Sequence, residues 1–243
     1  MTVEHADYRR SHQDKGSTYD ATLAREAFGN YSESIQKELI ARFVKRTFGG
    51  RVPRYMDFAC GTGRMTGFLA GMSDVSYGVD VSESMMSNAR QKWPQTTFFL
   101  RDMTKEDLGI EPVNLVSAFR FFGNAQDSLR HEALAAIRRH LVPNGFLILN
   151  NHRNSWSILY RMHRLGGGTD FMDFSYGTMR RLLRSGGFEI VQIRGIAWWC
   201  MLARQQERMR HQSTMARMLE PLSGLPPMAP ICPDMLVIAR KLG

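Results

Sequence analysis

A glycine-rich turn follows an apolar run in the segment RYMDFACGTGRMTGFL, which covers residues 54–69. Gly61 and Gly63 let the backbone bend sharply and approach a ligand with no Cβ in the way. A helix after the turn would present free N–H groups at its N-terminus. Such a turn can hold the phosphates of a dinucleotide, hold another nucleotide-like cofactor, or only reverse the chain. The dinucleotide fingerprint GxGxxG has Thr66 in place of its third glycine, which weakens the pyrophosphate interpretation.

Two acidic residues follow the next two apolar runs. Asp80 ends the run YGVD, 17 residues after Gly63, and Asp102 comes after FFLR. In an open parallel sheet, ligands bind beyond the carboxyl ends of the strands. A carboxylate at the first position can accept hydrogen bonds from both hydroxyls of a ribose, and one at the second can accept from an adenine amino group. The pattern predicts an adenosyl pocket without a phosphate clamp.

Candidate reactive residues follow two later apolar runs. Arg120, in SAFRFFGN, either binds an acidic group of a substrate or pairs with a neighbouring acid. Asn150, Asn151 and His152 follow the run FLIL. His152 is the candidate general base, because an imidazole titrates near neutral pH. The alternative for His152 is a loop histidine that hydrogen-bonds to a turn.

The elements that must position these residues alternate along the chain. An amphipathic helix is predicted over residues 31–50, with Ser32 as its N-cap and Gly49-Gly50 as its stop. Strands are predicted near residues 55–59, 75–79, 97–100, 113–118, 146–150 and 188–193 and in DMLVIARK, with helices from residue 64, from residue 82, around residues 129–141 and in TMRRLLRSGG. Repeated strand and helix units with strands this apolar predict a parallel sheet with helices on both faces.

The composition is that of one folded domain. The chain has 243 residues, 43% of them hydrophobic and 23% charged. Its three cysteines show no CxxC or Cys/His spacing, so neither a disulfide framework nor a metal site is expected. The N-terminal segment lacks the apolar region of a signal peptide, and no stretch approaches the roughly 18 apolar residues of a membrane span. We therefore expect a cytoplasmic protein without a transmembrane segment.

Positive charge is concentrated in the C-terminal part of the chain. Residues 1–150 contain 19 Lys/Arg and 17 Asp/Glu, whereas residues 151–243 contain 13 and 6, a net charge of +7. This bias attracts phosphates, carboxylated substrates or anionic membrane surfaces, or serves solubility alone. The long connection over residues 197–231 carries tryptophans, methionines and arginines. Such a connection packs against the sheet edge, covers a substrate or makes a peripheral membrane contact.

Five segments, in this order, resemble the class I S-adenosylmethionine (SAM)-dependent methyltransferases: YMDFACGTGR, YGVDVSESMM, RDM, LVPNGFLIL and LLRSGGFEIV. The resemblance runs from about residue 51 to the C-terminus. It implies an α/β fold, with a seven-stranded, mostly parallel Rossmann-like sheet, an antiparallel last strand and helices on both faces. We expect a SAM-binding domain at residues 51–243, with an insertion at 197–231, and an N-terminal helical lid at residues 1–50. Ala59 and Asn144 stand where the family usually has glycine.

The resemblance also implies SAM as the cofactor and assigns roles to individual residues. Asp57 and the turn through Gly61 and Gly63 would hold the methionine part, Asp80 the ribose and Asp102 the adenine. The other residues expected around the cofactor are Ala59, Val81, Met85, Met103 and Phe119, with Tyr19 on the methionine carboxylate. Met85 and Met86 either line the adenine or fill the core. The residues expected around the substrate are His12 and Lys15 of the lid, Arg120, Asn151 and Trp199.

The segment SAFRFFGNAQD lacks the (N/D)PPY sequence by which family members that methylate nucleobase amines are recognised. The chain also shows no RNA-binding module, so no nucleic-acid partner is expected. The expected function is methyl transfer to a small molecule or a sugar, at a hydroxyl oxygen. The alternatives are an anionic glycan-lipid or other membrane-associated substrate, a nicotinamide-dependent oxidoreductase, and a non-catalytic SAM-binding protein. The sequence leaves the oligomeric state open.

Overall fold

The computed structural model describes residues 27–166, 174–199 and 214–243. Its elements in chain order are α1 (Ala27–Phe48), β1 (Val52–Phe58), α2 (Arg64–Ala70), β2 (Ser73–Asp80), α3 (Glu83–Lys92), β3 (Thr97–Leu100), β4 (Val113–Ala118), α4 (Asp127–His140), β5 (Leu141–Asn150), α5 (Ile158–Leu165), α6 (Tyr176–Ser185), β6 (Phe188–Ile196), α7 (Thr214–Ser223), a 3₁₀ turn (Ala229–Ile231) and β7 (Asp234–Lys241).

The seven strands form one sheet in the order β3-β2-β1-β4-β5-β7-β6. The pairs β1–β2, β1–β4, β2–β3 and β4–β5 are parallel. β7 is antiparallel to both of its neighbours, β5 and β6. The predicted fold class is confirmed. One consequence matters for the site: β7 begins at the edge of the sheet where the other strands end.

Successive residues of the central strands point to opposite faces of the sheet, and both faces are buried. Met56 packs in a cluster with residues of α4 and α6, whereas Tyr55 packs in a cluster with Ile40 and Val44 of α1. Val116 and Leu115 of β4 divide in the same way, as do the corresponding pairs of β5 and β7. Burial on both faces explains why these strands are continuous apolar runs instead of alternating ones.

Helix α1 corrects one predicted boundary. The helix begins at Ala27, so Ser32 is an interior helical residue and the prediction of Ser32 as the N-cap is wrong. The Ser32 hydroxyl is buried and donates to Asp234 on the last strand. The predicted stop is confirmed: Gly49 and Gly50 have φ of 69° and 106°, backbone conformations that favour glycine.

The connection before β7 contains the helix α7 and the 3₁₀ turn. Helix α5 lies where no helix was predicted. The domain boundaries stay predictions, and residues 1–26 of the expected lid lie outside the described residues. Within the described residues, no helix is both long enough and apolar enough to cross a membrane.

Candidate cofactor and acceptor site

A cavity opens at the carboxyl edge of the sheet, where β1 to β5 end and β7 begins. We name two parts of its wall, the adenosine side and the acceptor side, after the roles that the sequence predicts for their residues. The adenosine side comprises residues Asp57 to Gly61, Val79 to Val81, Met85 and Arg101 to Thr104; the acceptor side comprises Ser32, Gln36, Phe119, Arg120, Asn150, His152 and Asp234. Helix α1 reaches the cavity from the face of the sheet and closes the acceptor side.

The glycine turn has the left-handed backbone that its sequence predicts. Gly61 and Gly63 have φ of 54° and 79°, and Ala59 adopts the same region with φ of 54°. A Cβ on Gly63 would lie 2.8 Å from a ring carbon of Trp93, so the position excludes any larger residue. Ala59 therefore keeps the turn conformation at the position where the family usually has glycine, at the cost of some backbone strain.

Asp80 is fixed by the backbone around it. Its two carboxylate oxygens accept from the N–H of Gly61, at 2.7 Å, and from the N–H of Ser82, at 2.9 Å. Burial raises the pKa of Asp80, and these backbone donors oppose the rise. Asp80 thereby links the end of β2 to the glycine turn after β1. Each oxygen keeps a lone pair that can accept from a ribose hydroxyl.

Asp57 lies beneath the same turn and is 3% exposed. It accepts from the hydroxyls of Thr66, at 2.6 Å, and Ser117, at 2.5 Å. Burial raises the pKa of Asp57 to about 6, and the two hydroxyl donors oppose that rise. Thr66 occupies the place of the third glycine of a dinucleotide fingerprint, where it ties the helix α2 to the end of β1.

Asp102 follows β3 and is half-buried at the cavity wall. Its Oδ1 accepts from the backbone N–H and the hydroxyl of Thr104, which fixes the direction of the carboxylate. Met85 and Met103 line the cavity nearby, whereas Met86 is fully buried in the protein and does not line it. Apolar walls with acids at both ends suit the flat adenine and the hydroxyl-bearing ribose of an adenosyl group.

Arg120 sits at the end of β4 in the left-handed region, with φ of 56°. Its backbone is held on both sides: the N–H donates to Asn150 Oδ1 at 2.7 Å, and the carbonyl accepts from Asn124 Nδ2 at 2.5 Å. Non-glycine residues held in this conformation concentrate at functional sites. The Arg120 charge acts on both Asp234 and His152, since it lowers the pKa of each.

His152 lines the acceptor side and is half-buried. Burial, Arg120 and Arg153 lower its pKa well below the ordinary value, so the imidazole is neutral near pH 7. Nδ1 is enclosed without a hydrogen-bond partner among the described residues, and Nε2 lies 3.5 Å from Asn124 Nδ2. A neutral imidazole of such low basicity can hydrogen-bond an acceptor molecule but is a weak proton acceptor.

Asp234, which sequence analysis missed, is the buried carboxylate of the acceptor side. It is 2% exposed. Its Oδ2 accepts from Ser32 Oγ at 2.5 Å and from Gln36 Nε2 at 2.9 Å, and its Oδ1 accepts from the N–H of Met235 at 2.7 Å. Burial raises its pKa to about 6. A signal was available, because an antiparallel last strand must begin at the ligand-binding edge.

Two charged residues at the cavity wall are paired with each other. Arg64, the first residue of α2, contacts Glu33 of α1, and Lys37 also binds Glu33, at 2.7 Å. Sequence analysis named neither Arg64 nor Glu33. This contact joins α1 to the glycine turn, so α1 touches both sides of the cavity.

The structure brings most of the predicted site residues together. The predicted residues that line the cavity are Asp57, Ala59, Gly61, Asp80, Val81, Met85, Asp102, Met103, Phe119, Arg120 and His152. Gly63 lies behind the wall and shapes the turn. Asn151 is buried and donates to the carbonyl of Phe174, and Trp199 donates to Glu220 in the core; neither lines the cavity. Tyr19, His12 and Lys15 lie outside the described residues.

Residues 56–145 match the sequence model of a methyltransferase domain. A curated relative, the dTDP-3-amino-3,4,6-trideoxy-α-D-glucopyranose N,N-dimethyltransferase of Streptomyces venezuelae, is 31% identical over 96 residues. The match covers 39% of this chain and 40% of the relative, so the chain spans about two fifths of that protein's length. The segment 56–145 that matches the domain model contains the glycine turn, Asp80 and Asp102.

Solved structures share the whole fold at low sequence identity. Magnesium protoporphyrin IX methyltransferase of Synechocystis PCC 6803, with bound S-adenosylhomocysteine (SAH), is 16% identical, with a TM-score of 0.66, and 95% of this chain and 98% of that chain are covered. A SAM-dependent methyltransferase of Thermotoga maritima, a possible histamine N-methyltransferase, is 17% identical, with a TM-score of 0.63 and coverage of 92% and 94%. These similarities show the fold.

The sheet order and the cavity agree with the methyltransferase-domain match over residues 56–145. The residues present fit SAM as the cofactor. A side chain on Gly61 would be strained by its φ of 54° and would contact Met85, so glycine leaves the turn unstrained and open at this position. The carboxylates of Asp80 and Asp102 are the acceptors that an adenosyl group requires.

Proposed function

We propose that the protein transfers the methyl group of SAM to a small polar molecule, such as a sugar, at a hydroxyl oxygen. One observation carries the proposal. A single cavity joins two acids suited to adenosine with an enclosed wall of hydrogen-bonding side chains, and the glycine turn lies between them. SAM supplies an electrophilic methyl group. The protein must hold the acceptor in line with that group and exclude water.

The acceptor side supports a polar acceptor of modest size. Gln36, Asn150 and Asp234 are each less than 5% exposed, and all three line the cavity. Together with Arg120 and His152 they offer both hydrogen-bond donors and hydrogen-bond acceptors. A polyhydroxylated molecule needs both when it enters a site without water. Phe119 adds an apolar surface between these groups and the adenosine side.

A second acceptor chemistry is an amino group on a sugar. It is favoured by the curated relative, whose name describes dimethylation of an amino sugar. The buried carboxylate of Asp234 also suits an N–H donor, since carboxylates accept strong hydrogen bonds from amines. Hydroxyl and amino acceptors are therefore compared directly in the test below.

His152 was predicted as the general base from its position after β5. Its lowered pKa favours a different role within the same proposal: the neutral imidazole hydrogen-bonds the acceptor molecule and orients it. In this role His152 does not accept the proton of the nucleophile, so another group must accept it.

The test has two stages. Thermal unfolding is measured with SAM, SAH and NAD; SAM and SAH raise the melting temperature by binding only the native state, whereas NAD leaves it unchanged. SAH formation is then measured with a panel of hexoses, their amino counterparts and nucleotide-linked forms of both. No stabilisation by SAM or SAH would refute the proposal. Turnover of amino sugars alone would replace the hydroxyl acceptor with the amino acceptor.

A further inference from the structure

Methyl transfer to a hydroxyl group requires a group that takes the nucleophile's proton. Besides Asp80 and Asp102, four carboxyl or imidazole side chains of the described residues line the cavity: Glu33, Asp57, His152 and Asp234. Glu33 is engaged with Lys37 and Arg64, and His152 is enclosed beside Arg120 and Arg153. Asp57 lies under the glycine turn, with its oxygens bound by Thr66 and Ser117.

Asp234 differs from these three in its position. It starts β7 beside the end of β5, where Asn150 also reaches it. Its partner Ser32 comes from α1, which closes the acceptor side, and Ser32 is one of the residues that line the cavity. The charged or titratable groups that act on Asp234 among the described residues are Arg120 at the end of β4 and the Cys232 thiol. Burial keeps that thiol neutral by raising its pKa to about 12.

The hydrogen bonds around Ser32 have a defined direction. Ser32 Oγ donates its proton to Asp234 Oδ2 at 2.5 Å and accepts from Gln36 Nε2 at 3.2 Å. A hydroxyl oxygen has two lone pairs, so one remains to accept a hydrogen bond from a bound molecule. Gln36 also donates to Asp234, which fixes all three side chains relative to one another.

We infer that Ser32 and Asp234 form the proton relay of the acceptor side, in which Ser32 accepts the hydrogen bond of the nucleophile and Asp234 receives the proton of Ser32. The inference rests on the proposed function. In the step, the nucleophile's O–H bond leaves its electron pair on oxygen, and this oxygen bonds to the methyl carbon. The bond between the methyl carbon and sulfur breaks, and sulfur keeps the electron pair of that bond. The nucleophile's proton moves to Ser32 Oγ, and the Ser32 proton moves to Asp234, which ends neutral.

The ionisation of Asp234 suits this task. Burial raises its pKa to about 6, so the carboxylate is charged at neutral pH and is still a better proton acceptor than an ordinary aspartate. Arg120 and the donated hydrogen bonds prevent a larger rise of the pKa. The charge of Arg120 therefore keeps the relay ready to accept a proton.

The first experiment requires no acceptor molecule. The full-length protein is labelled with ¹³C-aspartate, and the carboxyl signal of Asp234 is titrated in the SAM complex and in the SAH complex. SAM carries a positive sulfonium that SAH lacks, so the pKa of a carboxylate near the reacting methyl group is lower by about 1 with SAM. Equal pKa values in the two complexes would place Asp234 too far from the methyl group and overturn the inference. Failure of both ligands to bind would instead refute the proposed function.

The second experiment uses the acceptor found by the panel of sugars. Ser32→Ala and Asp234→Asn each lower kcat by about 100-fold or more, with SAH affinity unchanged, and the double variant is no slower than the single ones because the pair acts as a unit. The acidic limb of the kcat–pH profile is lost in Asp234→Asn. Ser34→Ala, on the same helix with its hydroxyl on the Tyr31 carbonyl, and Asp74→Asn, paired with Arg51 at the surface, are the controls. Wild-type turnover and pH dependence in Asp234→Asn would overturn the relay.

Discussion

The two sides of the cavity are built in different ways. On the adenosine side, Asp80 is held by the backbone N–H groups of Gly61 and Ser82, which lie within 19 residues of it in the chain. On the acceptor side, Asp234 is held by Ser32, which is 202 residues away. Local backbone geometry thus positions Asp80 on the adenosine side, whereas packing of α1 against β7 positions Asp234 on the acceptor side. A shared cofactor with differing acceptors is the expected outcome of such a division.

The largest expected effect is on the adenosine side. Asp80→Ala removes the carboxylate that is expected to accept hydrogen bonds from the ribose. It also leaves the N–H groups of Gly61 and Ser82 without their carboxylate. Hydrogen bonds to a charged group contribute about 1.5–3 kcal/mol each. The Kd for SAM, measured by calorimetry, rises by about 100-fold or more. Asp74→Asn, at the exposed start of the same strand, binds SAM as wild type does. If Asp80→Ala bound SAM as tightly as the wild type does, the adenosine part of SAM would not bind at Asp80.

The next effect concerns pH and the acceptor side. Asp234 has a pKa of about 6 in the folded protein against an ordinary value of 3.8, so the folded state binds its proton more tightly. The resulting stabilisation is complete below the unfolded pKa and is lost as the pH rises through about 6. This difference corresponds to about 3 kcal/mol. Between about pH 4 and about pH 7 the wild type loses this stabilisation, whereas Asp234→Asn has none to lose. The free energy of unfolding of the variant minus that of the wild type therefore rises by about 3 kcal/mol over this range, as measured by urea denaturation. A constant difference would show that burial does not perturb Asp234.

Asp57 has a similarly raised pKa and provides the comparison within this experiment. Because Asp57 remains in the Asp234→Asn variant, that variant keeps a decrease of stability over the same pH range. Asp57→Asn removes the part of this pH-dependent decrease in stability that comes from Asp57, on the adenosine side. If the effects of the two substitutions add, the two sides titrate independently.

A smaller effect tests the glycine turn. Gly63→Ala adds both the strain of a left-handed backbone and a Cβ only 2.8 Å from Trp93. Gly49→Ala adds the strain alone, since nothing lies within 4 Å of its Cβ. We expect Gly49→Ala to cost about 1 kcal/mol and Gly63→Ala to cost about 1–3 kcal/mol more, by denaturant unfolding. Similar costs for the two variants would contradict the close packing of the turn against α3.

The smallest effect is at His152. A neutral imidazole that only hydrogen-bonds the acceptor contributes about 1 kcal/mol, so His152→Ala lowers kcat/KM by about 10-fold or less. The pH profile keeps its shape, and SAM affinity is unchanged. A loss of 10²-fold or more together with a lost acidic limb would restore His152 as the general base.

The sequence determined the sheet, and it predicted most of the residues that line the adenosine side of the cavity. Strand β3 and strand β4 lie at the predicted residues, because each is a short apolar run bounded by polar or turn residues. Asp80 and Asp102 were predicted at the cavity because both directly follow strands whose ends must share one edge. The N-terminal boundary of α1 was missed, since Ser32 is a common N-cap residue and only its contact with Asp234 shows its interior position.

What the sequence by itself determined is the fold and the meeting of the predicted cofactor residues at one cavity, since both follow from local patterns: apolar runs, a glycine turn and acids after strands. Only the tertiary structure decided the acceptor side. Ser32, Gln36 and Asp234 meet because α1 packs across the sheet beside an antiparallel strand, and the raised pKa of Asp234 exists only once that packing removes water. Desolvation and long-range contacts have no counterpart in a linear pattern of residues, which is why the chemistry of the acceptor side appears only in the folded chain.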